Sequence, residues 1–285
     1  MRNSKPRRVS GRSFTLRRSH CTTGARAHLV SAQPVLPVVL PIPSVSRRAE
    51  TYSTGLAETD SERRAAFRLR FRVFNLEMNE GLEGSYQTGE DTDAFDTVCD
   101  HLIVRHEATG EIVGTYRLQT GNSAARNHGY YSAREFDFAP YEPLRSRMVE
   151  LGRACIHPNH RKYEILMMLW KGIVRYARER NAGYLIGCSS ISTQDQLVGS
   201  AVYEKLKPML VPEVMRTVPQ TGYDFPLTDD RDDVSPPKLL RAYLSVGARI
   251  CGPPALDREF GTIDFLTLMD LNGLSPSARS RFIES

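Results

Sequence analysis

The chain has 285 residues, 40% of them hydrophobic, enough to bury the core of one large domain or two small ones. Its net charge of +5 is unevenly spread: residues 1–50 hold ten Lys and Arg against one acid, Glu50, leaving 28 basic and 32 acidic side chains, a net of −4, in the remaining 235 residues. The basic pI therefore does not indicate nucleic-acid binding, and no run of 18 apolar residues predicts a membrane-spanning helix.

Taken in chain order, residues 1–50 join an Arg- and Ser-rich stretch to an apolar run broken by Pro34, Pro37, Pro41 and Pro43. They read as a disordered basic extension with no catalytic role, suited at most to peripheral contact with an acidic membrane. A single domain is expected over residues 51–285. Phe67, Phe71, Phe74 and Met78 recur at i, i+4, i+7 and i+11, which predicts a helix with that stripe buried, capped by Asp60 or Ser61 and followed by Gly81. Residues 101–105 and 111–119 read as two strands joined by a turn at Ala108-Thr-Gly110. Residues 148–156 form the next strand. Residues 164–181 form a second helix, burying Ile165, Met168, Leu169, Ile173 and Tyr176. A short strand over 184–189, a helix around 199–206, a long Asp- and Pro-rich loop over 221–238 and a last strand over 262–271 complete an α/β order. That order fits one mixed sheet flanked by helices.

The five cysteines, Cys21, Cys99, Cys155, Cys188 and Cys251, are odd in number and form no CxxC pair, which suits a reducing, cytoplasmic setting. No carboxylate or thiol partner completes a metal-ligand set around His157 and His160, so no metal site is expected. The most informative residues are Glu150 and Arg153, which lie within the buried strand 148–156. A carboxylate and a guanidinium there need partners, because an unpaired buried charge costs several kcal/mol. They are either ion-paired architecture, Glu150 with Arg153 or Arg117, or a reaction site.

Four signals in order, Arg70-Phe-Arg-Val-Phe74, Asp93-Ala-Phe-Asp96, Gly114-Thr-Tyr-Arg117 and Glu150-Leu-Gly-Arg153, resemble the acyl-homoserine-lactone synthases and, more closely, the ornithine-lipid N-acyltransferases. Leu169-Trp-Lys-Gly172, Gly187-Cys-Ser-Ser190 and Asp257-Arg-Glu-Phe-Gly-Thr-Ile-Asp264 extend the likeness over residues 61–271. The resemblance implies a GNAT-like fold. It also implies transfer of a fatty acyl group, 3-hydroxylated by analogy, from acyl carrier protein to the α-amine of an amino acid, ornithine first. Acyl carrier protein is then a partner and its thioester a substrate, with no bound cofactor. One departure is Glu80, which stands where the lactone synthases carry a tryptophan; that argues against a lactone product.

Aminolysis of a thioester requires a base, a held oxyanion and a leaving thiolate. Glu150 is the candidate base, acting through a water. By the resemblance Arg70, Phe74, Asp93, Asp96, Arg117 and Arg153 form the acceptor and acyl-carrier pockets, although Arg70 and Asp96 equally suit the ordering of the loop between Phe74 and Asp96. Tyr203 resembles the tyrosine that protonates the thiolate, or is a core residue. Ser189 and Ser190 line the pantetheine groove or end their strand. At the helix start Arg161-Lys-Tyr-Glu-Ile-Leu166 has Glu164 and Leu166 in place of the small residues of a CoA-phosphate loop, which favours a carrier-borne donor. Arg161, Lys162, Lys171 and Arg175 then offer the basic face, or are a solvated helix surface. Two further readings remain open: a lactone synthase or an N-acyltransferase for another amino acid such as glycine, and a non-catalytic binder of acyl carrier protein or membrane.

Overall fold

The computed structural model describes residues 50–228, 234–274, 276 and 279–280, all within one compact unit. The expectation for residues 1–50 lies outside these, save for Glu50. Its carboxylate accepts a hydrogen bond from the Tyr52 hydroxyl at 2.7 Å and pairs with Lys162.

One sheet organises the chain. Its strands are β1 (Tyr52–Leu56), β2 (Asp100–His106), β3 (Ile112–Thr120), β4 (Met148–Ile156), β5 (Tyr184–Ile191), β6 (Arg249–Ile250), β7 (Ala255–Asp257) and β8 (Thr262–Asp270). They are ordered β1-β2-β3-β4-β5-β8-β6, with β7 also on β8. Every neighbouring pair is antiparallel except β4 and β5. A parallel pair needs a crossover, and α4 (Tyr163–Glu179) supplies it. The remaining helices are α1 (Asp60–Phe71), the short α2 (Ser85–Thr88) and α3 (Gly121–Arg126), α5 (Gln196–Leu206) and α6 (Lys238–Ser245). No described helix is long and apolar enough to cross a membrane.

Side chains of β2 alternate between two covered faces, which is why the strand is buried almost throughout and its centre, Leu102-Ile-Val104, is apolar without a break. Leu102 and Val104 pack with Ile165, Leu169 and Ile173 of α4, while Ile103 packs with Ala66, Leu69 and Val73 of α1 and its continuation. Gly172 lets α4 lie close to the sheet, since a Cβ there would sit 2.9 Å from the Leu102 methyls.

The expected α/β order holds, with local corrections. Thr59, not Asp60 or Ser61, caps α1: its hydroxyl accepts from the Glu62 N–H, and Glu62 accepts in return from the Thr59 N–H at 3.0 Å. The buried face of α1 is Ala66, Leu69 and Arg70 rather than the phenylalanine stripe. Beyond Phe71 the helix widens into a π-helical turn, Arg72–Glu77, so a 3.6-residue period drifts off the core. Phe67 and Phe71 instead meet His101 and Tyr86 edge-on, and Met78 is exposed. Asn181, at φ +54°, ends α4 in the left-handed region. Strands β1, β6 and β7 and helix α6 are not legible in the sequence: the strands are two to five residues long and α6 follows the Pro-rich loop.

Replacing Thr59 with Ala removes one half of the capping box. It is expected to lower stability by about 1 kcal/mol, read from the urea midpoint.

Candidate active site

Strand β4 pairs with β5 at only three positions, Met148–Tyr184, Val149–Leu185 and Glu150–Ile186, although both strands continue for five or six residues more. At the parting Gly187 faces the Leu151 carbonyl so closely that a Cβ would lie 2.2 Å from its oxygen. A bulge follows: Thr115 pairs with Cys155 and Arg117 with Gly152, so Arg153 and Ala154 together face Tyr116. Arg153 takes φ +48°, the left-handed residue that such a bulge requires, and the strand bends there. The main-chain groups that β4 and β5 turn toward each other beyond Glu150 thus have no ladder partner.

A cavity of about 430 Å³ occupies the gap and crosses the sheet. On the α4 side its walls are largely apolar: Leu151, Leu169, Trp170, Leu185, Leu240 and Met269, with the Tyr116 and Tyr243 hydroxyls 2.6 Å apart among them. On the opposite face lie Gln119, Tyr131, Ser132, Glu150, Cys188 and Asp264. Volume and mixed lining match those of small-molecule sites.

Glu150 stands where the two strands part, 4% exposed. It is paired with neither Arg153 nor Arg117. Its two carboxylate oxygens accept main-chain N–H groups of Tyr131 and Ser132, each at 2.8 Å. Burial raises its pKa, and those two donors partly offset the rise.

Beside it is a buried network of three arginines and three aspartates, formally neutral. Arg70, fully buried, holds Asp96 with two parallel bonds of 2.7 and 2.8 Å and Asp91 with a third of 2.7 Å. Arg117 donates to both oxygens of Asp93 at 2.7 Å and to Asp96 at 3.3 Å, and Arg153 reaches Asp93 at 3.0 Å. Asp93 also caps the turn Ala94–Thr97. Desolvation would raise both Asp93 and Asp96, but the guanidiniums outweigh it, lowering Asp93 and holding Asp96 well below the usual carboxylate range. The network pins the 79–98 segment against the sheet. It also stacks Arg117 and Arg153 on the Tyr131 ring, 4.9 and 5.2 Å from its centre, beside the turn that holds Glu150.

Of the residues singled out in the sequence, Phe74, Arg117, Glu150, Arg153, Arg161, Ser189 and Ser190 line the cavity. Arg70, Asp93 and Asp96 are absent from its lining: Arg70 is paired with Asp96 and Asp91, and Asp93 with Arg117 and Arg153. Tyr203 does not reach it. Helix α5 packs Tyr203 among Ile263, Phe265 and Leu206, and alternation on β8 puts Asp264 on the other face. Arg161 pairs with Glu77 at 2.6 Å and Lys162 with Glu50. Neither Lys171 nor Arg175 lines the cavity, and Arg175 lies about 20 Å along α4 from Arg161. Asp91, Gln119, Tyr131 and Ser132 escaped the sequence reading. Asp91 alone carried a signal, the acidic spacing Glu90-Asp-Thr-Asp93. Among the described residues one group has metal-ligand chemistry, Glu135, Cys188 and Asp264, with donor atoms within 4.8 Å of one another; it was not expected.

Arg70→Ala would strand two buried carboxylates and is expected to cost about 3–5 kcal/mol at pH 7, measured by urea unfolding. The pairing contributed by Asp93 and Asp96 is complete above about pH 4, their unfolded value, and is lost as pH falls through their depressed folded values. The Arg70→Ala protein should accordingly lose less stability than the unsubstituted chain between pH 5 and acid unfolding.

Residues 69–171 match the Acetyltransferase (GNAT) domain family. The L-ornithine N(alpha)-acyltransferase of Brucella abortus (strain 2308) is 33% identical over 248 residues, covering 80% of this chain and 86% of that protein. The L-ornithine N(alpha)-acyltransferase of Agrobacterium fabrum (strain C58 / ATCC 33970) is 30% identical over 246 residues, covering 80% and 84%. Among solved structures the AHL synthase LasI superposes with a TM-score of 0.48 at 12% identity, over 83% of this chain and 96% of that one. With a GNAT domain and relatives of this identity over most of its length, the chain belongs to the L-ornithine N(alpha)-acyltransferase family.

Proposed function

We propose that the protein transfers a 3-hydroxy fatty acyl group from acyl carrier protein to the α-amine of ornithine, yielding a lyso-lipid precursor. The observation that carries this reading is the cavity through the sheet, with Glu150 at the parting of β4 and β5. Its apolar side suits a fatty chain, and the Tyr116 and Tyr243 hydroxyls are the polar partners that side offers a 3-hydroxyl. Its polar side suits an amino acid. The family assignment supports the acceptor.

In this mechanism the phosphopantetheine thioester lies between the splayed strands, where unpaired main-chain groups meet its amides and carbonyl. Glu150, through a water, takes a proton from the α-ammonium. The amine attacks the carbonyl, a C–N bond forms, the C–S bond breaks and the sulfur leaves with the electron pair, while the second nitrogen proton passes through water to the departing thiolate or to solvent. Tyr203 has no part in this scheme. A thiol with a pKa near 8.5 leaves as its anion at neutral pH without an adjacent acid. Attachment to an acidic bilayer, in this reading, falls to the basic residues of 1–50.

Glu150→Gln keeps the acceptors for Tyr131 and Ser132 in place but removes the base, so turnover should fall about 10²–10⁴-fold with the fold retained. In the unsubstituted enzyme the acidic limb of kcat should lie above about pH 4.3, the ordinary Glu value, because burial raises Glu150. Near-normal turnover by Glu150→Gln, with the product identified by mass, removes Glu150 from the chemistry.

The donor is tested separately. The first turn of α4 carries the acidic Glu164, and Leu166 stands where a phosphate loop has a small residue, a poor cradle for a diphosphate. Acyl carrier protein should therefore exceed acyl-CoA in kcat/KM, and added salt should erode that advantage by screening the exposed basic residues. Equal, salt-insensitive use of both donors refutes the carrier assignment.

A further inference from the structure

Three buried carboxyl groups play no part in the mechanism above: Asp257 and Asp264, which line the polar side of the cavity, and Glu135, which stands just outside that lining beside Cys188 and Asp264, at 5%, 5% and 2% exposure. Among the described residues none forms an ion pair; the nearest cation, Arg134, pairs with Glu259 instead. The Glu135 and Asp264 carboxyls lie within 4.8 Å of each other and of the Cys188 thiol, and Asp264 also accepts from the Thr262 hydroxyl at 2.9 Å. Burial and the Asp257 charge push Asp264 up to about 6, while burial and the charges of Asp264 and Asp257 push Glu135 well above the carboxylate range, where it holds a proton and hydrogen-bonds Asp264. In contrast to the neutral Arg–Asp network, this cluster lacks a positive charge.

A second observation points to a ligand in the same space. Gln119 is 2% exposed and lines the cavity, yet neither its amide oxygen nor its amide nitrogen has a partner. It pairs across the sheet with Glu150, so both side chains leave the same face. A buried carboxamide left wholly unsatisfied costs several kcal/mol unless something else completes it.

Register sets the distance between the two features. Gln119, Glu150 and Ile186 stand in one row across the sheet, and Cys188 is two residues further along β5 on the same face. That step is about 7 Å. The turn Ser132–Arg134 spans it, with the Ser132 N–H on Glu150 at one end and Glu135 following at the other. Two amines joined by four carbons lie about 6 Å apart when extended, which matches the step.

Resting on the acceptor reading above, we propose that Glu135 and Asp264 form the subsite for the second cationic group of a dibasic amino-acid acceptor, while Gln119 hydrogen-bonds its α-substituents beside Glu150. The side-chain ammonium supplies the charge that the cluster lacks and makes up to three charge-assisted hydrogen bonds. An acceptor without that group leaves the two carboxyls sharing a proton and gains none of these bonds, so it is discriminated against.

The experiment uses the full-length enzyme with ornithine and norvaline, which differ by the terminal amine, and compares kcat/KM from thiol release. Ornithine should be preferred, and in Glu135→Gln and Asp264→Asn the ratio of the two acceptors should collapse about 10–100-fold, the effect of removing one charge-assisted hydrogen bond. Equal use of both acceptors by the unsubstituted enzyme overturns the proposal whether or not the variants fold. So does a ratio unchanged in folded variants, or activity abolished by chelation and restored by zinc, which would make the cluster a metal site. If the unsubstituted enzyme acylates no amino acid, the functional reading fails by itself. Calorimetry with ornithine and norvaline then still tests the subsite, which requires ornithine to bind the more tightly.

Discussion

Beyond Glu150 the parallel strands β4 and β5 cease to pair, and the rest of the site is built around that break. A parallel pair buried on both faces would ordinarily exchange main-chain bonds along its whole length. Here a carbonyl directed at Gly187 and a bulge centred on Arg153 end the ladder after three positions. The opened strands supply unpaired backbone groups, and the cavity between them connects the two faces of the sheet. Because α4 must cross over one face to join the two strands, that face is apolar. The other is left to the 120–147 segment, whose turn at Tyr131 and Ser132 clasps Glu150. The carboxylate is therefore both buried and oriented, which raises its pKa without isolating it.

Two groups of buried charge surround this point in opposite states. Arg70, Arg117 and Arg153 balance Asp91, Asp93 and Asp96, and the bonds among them satisfy most of their donors and acceptors. Such a set acts as architecture: it stiffens the segment between the π-helical turn and β2, and it fixes the Tyr131 ring between guanidiniums. The Glu135–Asp264 pair has no such balance. In a low-dielectric setting a neutral network persists as it stands, while an acid pair retains a proton or finds a cation. The same burial thus serves rigidity on one side of the cavity and recognition on the other.

Tyr203 is held away from the cavity by its packing among Ile263, Phe265 and Leu206. Residues 263 and 265 of β8 face α5, and 264 faces the acids, so Tyr203 lies across the sheet from the cluster. A thiolate leaving group makes that absence tolerable, since its anion is stable near neutral pH.

Much of this was legible locally. Periodicity of 3.6 located α4, and alternation located β2, β3, β4 and β8, because those signals depend on each residue's own neighbours. Glu150 stood out because a charge in an apolar strand demands a reason. The order of charged motifs, by resemblance, pointed to an acyltransferase before any geometry was available. What the sequence did not determine depends on contacts between distant segments. The buried face of α1 and its continuation is Ala66, Leu69, Arg70 and Val73, which keeps helical spacing but contains an arginine whose aspartate partners lie 21 and 26 residues on, so hydrophobicity alone pointed to Phe67 and Phe71 instead. Glu150 and Arg153, three residues apart in one strand, read either as an ion pair or as a reaction site; the bulge turned Arg153 to Asp93 and the Tyr131 turn claimed Glu150. Glu135, Cys188 and Asp264 lie 53 and 76 residues apart along the chain and meet only because β5 and β8 pair beside the Ser132–Arg134 turn. Local chemistry decides which residues are capable of catalysis or charge pairing, and only the register of the folded sheet decides which of them share a space.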